Sequence, residues 1–273
     1  MERLKRGWRL AKESLVVVRS DPALVVLVVL GLVFAALVAL PALLAAAVVS
    51  EGDEPSALAW ILLGVGLYLG YAVTIFFGVA VVHAAGRVLD GEDATVGDAV
   101  RFALGRLGPI LGWALVGAVV NLLFALLRSR GGLAGQILAG VGGAAWSLVT
   151  FLAVPVIAFE GLGPFATLKR SASLFRERWG EQITGTIGIG LVFFLLSLPG
   201  LLLAGIGFAV ASSRAAAAGW VLAVIGILFV AVVSIVGRAA SATFGAVLYR
   251  YAATGETAGP FAEGDLRSVA QKA

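Results

Sequence analysis

A chain of 273 residues that is 60% hydrophobic and only 13% charged, with a mean hydropathy of +1.04, is built for lipid rather than water, since a soluble domain carries about 25% charged residues. The lack of cysteine excludes a disulfide framework, thiolate metal sites and a thiol nucleophile, and the lone histidine, His83, excludes His-based triads and multi-His metal centres. The net charge of +4 comes from basic residues that cluster along the chain, and the clusters order the reading.

The chain opens on a basic segment in which Leu4, Trp8, Ala11, Leu15 and Val18 recur at alternating spacings of four and three. That period places one apolar stripe on a helix whose other face carries Lys5, Arg6, Arg9 and Lys12. Such a helix is expected to lie in the interface, apolar side down and basic side toward anionic headgroups. Asp21-Pro22 then supplies a cap and a first-turn proline for the next element. Pro22–Val49 is uncharged and far longer than the roughly 7–15 residues of a signal-peptide core, so it reads as a span rather than a cleaved leader.

Five further runs are long enough to cross the hydrocarbon, which takes roughly 20 helical residues. They are Ala57–Gly86, Gly108–Leu127, Leu133–Phe159, Gln182–Ala211 and Ala217–Gly237. Three of the breaks are short: Ser50–Ser56, Arg128–Gly132 and Ser212–Ala216. The other two, Asp90–Leu107 and Gly161–Glu181, are longer, and each contains an amphipathic series of its own. In the first it is Val96, Val100, Ala103 and Leu107, begun by a capping-box variant at Thr95-x-x-Asp98. In the second it is Phe165, Leu168, Ala172, Phe175 and Trp179. Arg101 belongs to the polar face of the first, and Lys169, Arg170 and Arg176 to that of the second.

Charge sets the orientation. Sixteen basic residues, Arg87 just before the first long break among them, lie in the N-terminal segment, around the two long breaks and in the C-terminus, against three in the short breaks, with Arg238 left at the edge of an apolar run. Positive charge stays on the cytoplasmic side, so both termini and both long loops are expected inside. Trp60 and Trp220 then fall at the outer interface, Trp113 and Trp179 near the inner one, and Trp146 inside the bundle as a packing residue.

The fold class expected is all-α: a polytopic integral membrane protein of six transmembrane helices plus three cytoplasmic-side interfacial amphipathic helices. It forms one domain over residues 1–253, with a flexible cytoplasmic tail over 254–273. Laid over one another without gaps, the three inner segments align Arg19 with Arg106 and Arg176, and Pro22 with Pro109 and Trp179. Two readings stand. One is a threefold parallel repeat with units near 1–94, 95–163 and 164–253, about an axis along the membrane normal. The other is the ordinary alternation of basic loops and hairpins in any membrane protein.

Polar residues inside the spans are sparse, Thr74, Asn121, Ser147, Thr150 and Ser197 being the main ones, and no span carries the carboxylates or basic series of a pump or voltage sensor. The small-residue pairs Gly66/Gly70, Gly108/Gly112 and Gly131/Gly135 are weak signals in a chain of 36 glycines. Four ionisable residues gather toward the inner boundary: Glu160, Arg238, His83 and Arg87. Glu160 reads either as a cation, proton or lipid-amine ligand, or as a carboxylate at the positive end of the helix that starts at Pro164, paired with Arg238. His83 reads as a proton relay or a packing residue, and Arg87 as a cluster member or a snorkelling side chain.

These motifs carry a likeness. "RGWRLAKESLVVVRSDPALVVL", "GEDATVGDAVRFALGRLGPILG" and "VPVIAFEGLGPFATLKRSASLFRERWGEQ" resemble an uncharacterised family of prokaryotic six-helix integral membrane proteins. The last stretch is also distantly similar to the membrane domain attached to some glycerophosphoryl diester phosphodiesterases. The shared features there are Pro155, Glu160, Gly163-Pro164 and Ala166 to Ser171 with Arg170. The family has no activity to carry over, and the catalytic domain with its acidic metal ligands has no counterpart here, so the resemblance implies no hydrolase activity.

The function expected is a non-enzymatic module of the cell membrane that engages lipid headgroups, or a partner membrane protein, through its basic cytoplasmic face. Lys5, Arg6, Arg9, Lys12, Arg101, Lys169, Arg170 and Arg176 are the expected contacts to anionic headgroups. The alternative is a transporter of a lipid or small apolar solute with its site among Glu160, Arg238, His83 and Arg87. No Gly-rich phosphate loop or G-x-S-x-G elbow occurs, and no catalytic residue, cofactor, metal or nucleic-acid partner is expected.

Overall fold

A computed structural model of the chain describes residues 2–49, 56–179, 186–211 and 216–255, leaving aside the side chains of 2–7, 177–179, 186–189 and 191. The expected tail lies outside these residues beyond Gly255. The described elements are helical: α1 (Glu2–Ser20), α2 (Ala23–Val48), α3 (Ala57–Leu89), α4 (Val96–Leu104), α5 (Leu107–Arg130), α6 (Gly132–Val149), α7 (Ala153–Glu160), α8 (Pro164–Trp179), α9 (Thr186–Ala211) and α10 (Ala216–Thr254). Six helical stretches are long and apolar enough to cross a membrane, with α6 and α7 forming one of them across a break of three residues.

The expected caps are in place. Thr95 Oγ1 accepts the Asp98 N–H at 3.1 Å, which starts α4. Asp21 does more than cap α2: one carboxylate oxygen accepts the Ala23 N–H and the other the Ala94 N–H, each at 2.8 Å. It therefore ties the α1–α2 junction to the residues that lead into α4.

The largest departure from the expected spans is α10. Hydropathy ends the sixth run at Gly237, yet the helix continues to Thr254, 39 residues in all, or about 58 Å at 1.5 Å per residue. Arg238 interrupts the apolar composition without interrupting the helix. Beyond it, Ala239, Ala240, Phe244, Val247, Leu248 and Tyr251 are buried by protein rather than by lipid. The core lies at this end of the bundle, built from the second halves of α3 and α10 with α1, α4, α7 and α8. Toward the other end, large aliphatic residues such as Leu44, Ile61, Leu122, Leu133, Leu202 and Leu228 are exposed, as suits a surface bathed in acyl chains.

Close approach within the hairpins rests on small residues. Gly66 of α3 sits against Ala42 of α2, and in the α9–α10 pair Gly207 faces the backbone of Ala223 while Gly226 faces that of Ala204. The three inner helices pack in a cyclic order. α4 packs on α2 and α3, α8 on α5, α6 and α7, and α1 on α9 and α10. Each thus covers the hairpin that precedes it when the chain is taken as a circle, with α8 also touching α10 and α1 also touching α3.

The inner helices correct the expected stripes. α1 buries Leu10, Ala11, Ser14, Val17 and Val18 and leaves Trp8 54% exposed. α4 buries Ala99 and Ala103, with Leu104 and Leu107 exposed, and α8 buries Thr167, Ser171 and Leu174 while Phe165 is 77% exposed. Leu4 and Trp179 lie outside the described side chains. In each case the face toward protein is the one rich in Ala, Ser or Thr, because small side chains let helices close up. The buried hydroxyls satisfy themselves on carbonyls: Ser14 on Leu10 at 2.9 Å, Thr167 on Leu162 at 2.9 Å and Ser171 on Val149 at 2.6 Å. Trp8 and Phe165 are left for the surface, while Leu10 and Leu174 are fully buried beside the small residues.

Candidate functional site

Glu160 closes α7, and Gly161 follows it in the left-handed region at φ +65°, the turn that sends the chain into α8. One carboxylate oxygen, Oε1, accepts from Arg170 Nε and from the Tyr249 hydroxyl, both at 2.8 Å. The Tyr249 ring stacks on Phe159 with centroids 5.0 Å apart. α7, α8 and α10 are therefore joined at one partly buried oxygen. Among the described residues no α8 backbone N–H donates to Glu160, so Arg170 supplies the positive charge that the helix terminus was expected to give. The expected pair with Arg238 does not form.

Beside this hub, Arg106 donates Nε to the Ala158 carbonyl at 2.9 Å, a cation set near the negative C-terminal end of α7. Its guanidinium lies 4.3 Å from the centre of the Phe102 ring, and His83 stacks on Phe102 at 3.8 Å. His83 thus packs in a ring stack. Arg87 reaches Glu92 at 3.0 Å and Asp98 at 3.7 Å rather than Glu160. The Thr95 hydroxyl, with Arg101 and Arg87 behind it, holds the Asp98 carboxyl below the usual range. Arg250 grips both oxygens of Asp90 and lowers that carboxyl in the same way.

Arg238 stands apart. It is exposed on α10 and lines a cavity of ≈ 560 Å³ walled by α2, α3, α9 and α10 and the residues around the start of α7. His83 and Arg87 are neighbours near Asp98, whereas Glu160 and Arg238 lie elsewhere, and the structure does not assemble the four into one cluster. Of the expected headgroup contacts, Arg9, Lys12, Arg101, Lys169 and Arg176 are exposed, whereas Arg170 is held by Glu160. The side chains of Lys5 and Arg6 lie outside the described residues.

Sequence reasoning missed Tyr249, Arg250, Asp90 and Arg106 as network members. Tyr249 and Arg250 fall in a stretch that hydropathy had discarded, although Phe244, Leu248 and Tyr251 carry the helical period past Arg238.

A helical bundle with six membrane-length apolar stretches and a polar, packed end belongs to the class of multi-pass membrane proteins. Residues 57–259 match the model of a family of unknown function, DUF6159, and the chain belongs to that family. No curated protein and no solved structure matches, and none of these comparisons returned the glycerophosphoryl diester phosphodiesterase membrane domain.

Proposed function

We propose that the protein is a non-enzymatic membrane module whose basic end faces the cytoplasm and engages the anionic headgroups of the inner leaflet. The observation that carries this reading is the two-sidedness of α1, α4 and α8. Each buries one face in the bundle and leaves cations outward, namely Arg9, Lys12 and Arg19 on α1, Arg101 on α4, and Lys169 and Arg176 on α8. Trp8, Leu104 and Phe165 are exposed on the same helices, so large apolar side chains and cations are presented together, the composition that suits a headgroup boundary. The cyclic packing of the three inner helices supports the threefold reading of the chain, which would give this face three comparable contact regions.

In neutral detergent, added anionic lipid is expected to raise the thermal midpoint of the purified protein, and zwitterionic lipid of the same chains to have much less effect. Juxtamembrane Lys and Arg contribute about 1 kcal/mol each near an anionic surface. A combined Lys12→Gln, Arg101→Gln, Lys169→Gln, Arg176→Gln variant should therefore lose the preference, and so should the native protein at high salt. Equal stabilisation by both lipids, or a variant that responds like the native chain, rejects the reading.

A further inference from the structure

The cavity beside Arg238 has a composition that the basic face does not explain. Its wall is largely apolar, with Val28, Leu32, Phe77 and Phe194 on three helices. Two of its hydroxyls are turned back on their own helices, Thr74 on the Gly70 carbonyl at 3.0 Å and Ser197 on that of Phe193 at 2.8 Å. Ser234, Arg238 and Ser241 are different. They lie at i, i+4 and i+7 on one face of α10, all three are exposed, and none makes a hydrogen bond or ion pair among the described residues. No Asp or Glu is among the residues that line the space. A guanidinium and two hydroxyls on one face of a largely apolar space thus point to an anion.

Depth and size narrow the ligand. Arg238 lies twenty-two residues after Ala216, where α10 begins, or about 33 Å along the axis at 1.5 Å per residue. A hydrocarbon core is about 30 Å thick, so if α10 enters the bilayer near Ala216 the guanidinium sits where the far leaflet's headgroups begin. The volume of ≈ 560 Å³ is that of a single-ligand site, which spans roughly 300–1,000 Å³. We propose that this cavity binds one single-chain anionic amphiphile. Its phosphate or carboxylate head is held by Arg238, Ser234 and Ser241, and its alkyl chain lies along Val28, Leu32 and Phe194. This site is separate from the outward cations of α1, α4 and α8 and does not depend on them.

Native mass spectrometry of the full chain in neutral detergent tests the proposal with four probes of one chain length. These are a fatty acid, a lysophosphatidic acid, a lysophosphatidylcholine and a fatty alcohol. One bound molecule per chain is expected, with an anionic head favoured at least about tenfold over the alcohol, as a charge-assisted contact should give. The stronger of the two anionic probes identifies the head as carboxylate or phosphate, and equal binding means that charge alone is read. Arg238→Gln should erase the preference and Arg238→Lys keep part of it. Ser241→Trp, which fills the space, should weaken all four probes. The combined variant of the basic face should bind like the native chain. An Arg238→Gln protein that keeps the preference, a Ser241→Trp protein that binds normally, or uptake of many molecules without saturation overturns the proposal. If Arg238→Gln does not fold, Arg238→Lys and Ser241→Trp decide it.

Discussion

Gly207→Ala should destabilise the protein severely, whereas Gly205→Ala, two residues away on the same helix, should leave it intact. A Cβ at Gly207 would come within 2.3 Å of the Ala223 nitrogen and 2.8 Å of the Gly219 carbonyl oxygen, and backbone atoms cannot turn aside as a side chain can. Gly226 and Gly219 meet the backbones of Ala204 and Ala211 in the same way. The α9–α10 pair therefore closes along a run of small residues, which is how helices associate where lipid removes the hydrophobic drive between them. Forcing one methyl group into that seam must separate the helices. The expected loss is about 3 kcal/mol, the upper part of the range for overpacking, because several contacts move at once. Gly205 has no atom within 4 Å of its would-be Cβ, and alanine is the better helix former. Unfolding titrations in mixed detergent should show a lower midpoint for Gly207→Ala and no loss for Gly205→Ala. Equal behaviour would mean that α9 and α10 do not pack through this seam.

The second large effect is expected at Glu160. Its side chain is 24% exposed and that of Arg170 is 37% exposed, so the pair is neither fully buried nor freely solvated. Glu160→Gln leaves Arg170 without its carboxylate and weakens the bond from Tyr249, at a cost of about 1–3 kcal/mol, less than the loss for a fully buried pair. Arg170→Gln should cost a similar amount, and Tyr249→Phe somewhat less. The informative quantity is the coupling. The Glu160→Gln, Arg170→Gln double variant should lose clearly less than the sum of the singles, by at least about 0.5 kcal/mol. Glu160→Gln combined with Arg238→Gln should be additive within about 0.5 kcal/mol, since those residues do not meet. Strong coupling to Arg238 and none to Arg170 would reverse the geometry of this hub.

Much of the fold was readable because hydropathy and charge report directly on lipid. The six apolar runs and the caps at Asp21 and Thr95 each follow from local chemistry. What could not be read was which neighbour covers a given face. Phe165 and Trp8 fit an apolar stripe by period, yet the helices turn Ser171, Thr167 and Ser14 inward, because close packing selects small residues and a hydroxyl can bond to a carbonyl on its own or a neighbouring helix. The candidate site shows the same limit. Glu160 was recognisable as a carboxylate at a helix junction, but its partners are ten and 89 residues away along the chain. By sequence Arg170 belongs to the cationic face of its helix, and Tyr249 lies beyond the last apolar run. Arg238 stood out by its apolar flanks, while the cavity that gives it meaning is made by helices from distant parts of the sequence.

The orientation of the basic end bears most directly on the proposed function, and substituted-cysteine labelling measures it. The native chain has no cysteine, so single substitutions at Ser129, at Thr95 and at Ser20 start from a clean background. Ser129 closes the α5 end of its hairpin, while Thr95 and Ser20 lie beside the inner helices, and all three are exposed. A membrane-impermeant maleimide applied to intact cells is expected to modify Ser129→Cys and to spare Thr95→Cys and Ser20→Cys until the membrane is opened. Labelling of Thr95→Cys and Ser20→Cys from outside, with Ser129→Cys protected, would place the cationic face away from the cytoplasm and contradict its engagement of the inner leaflet.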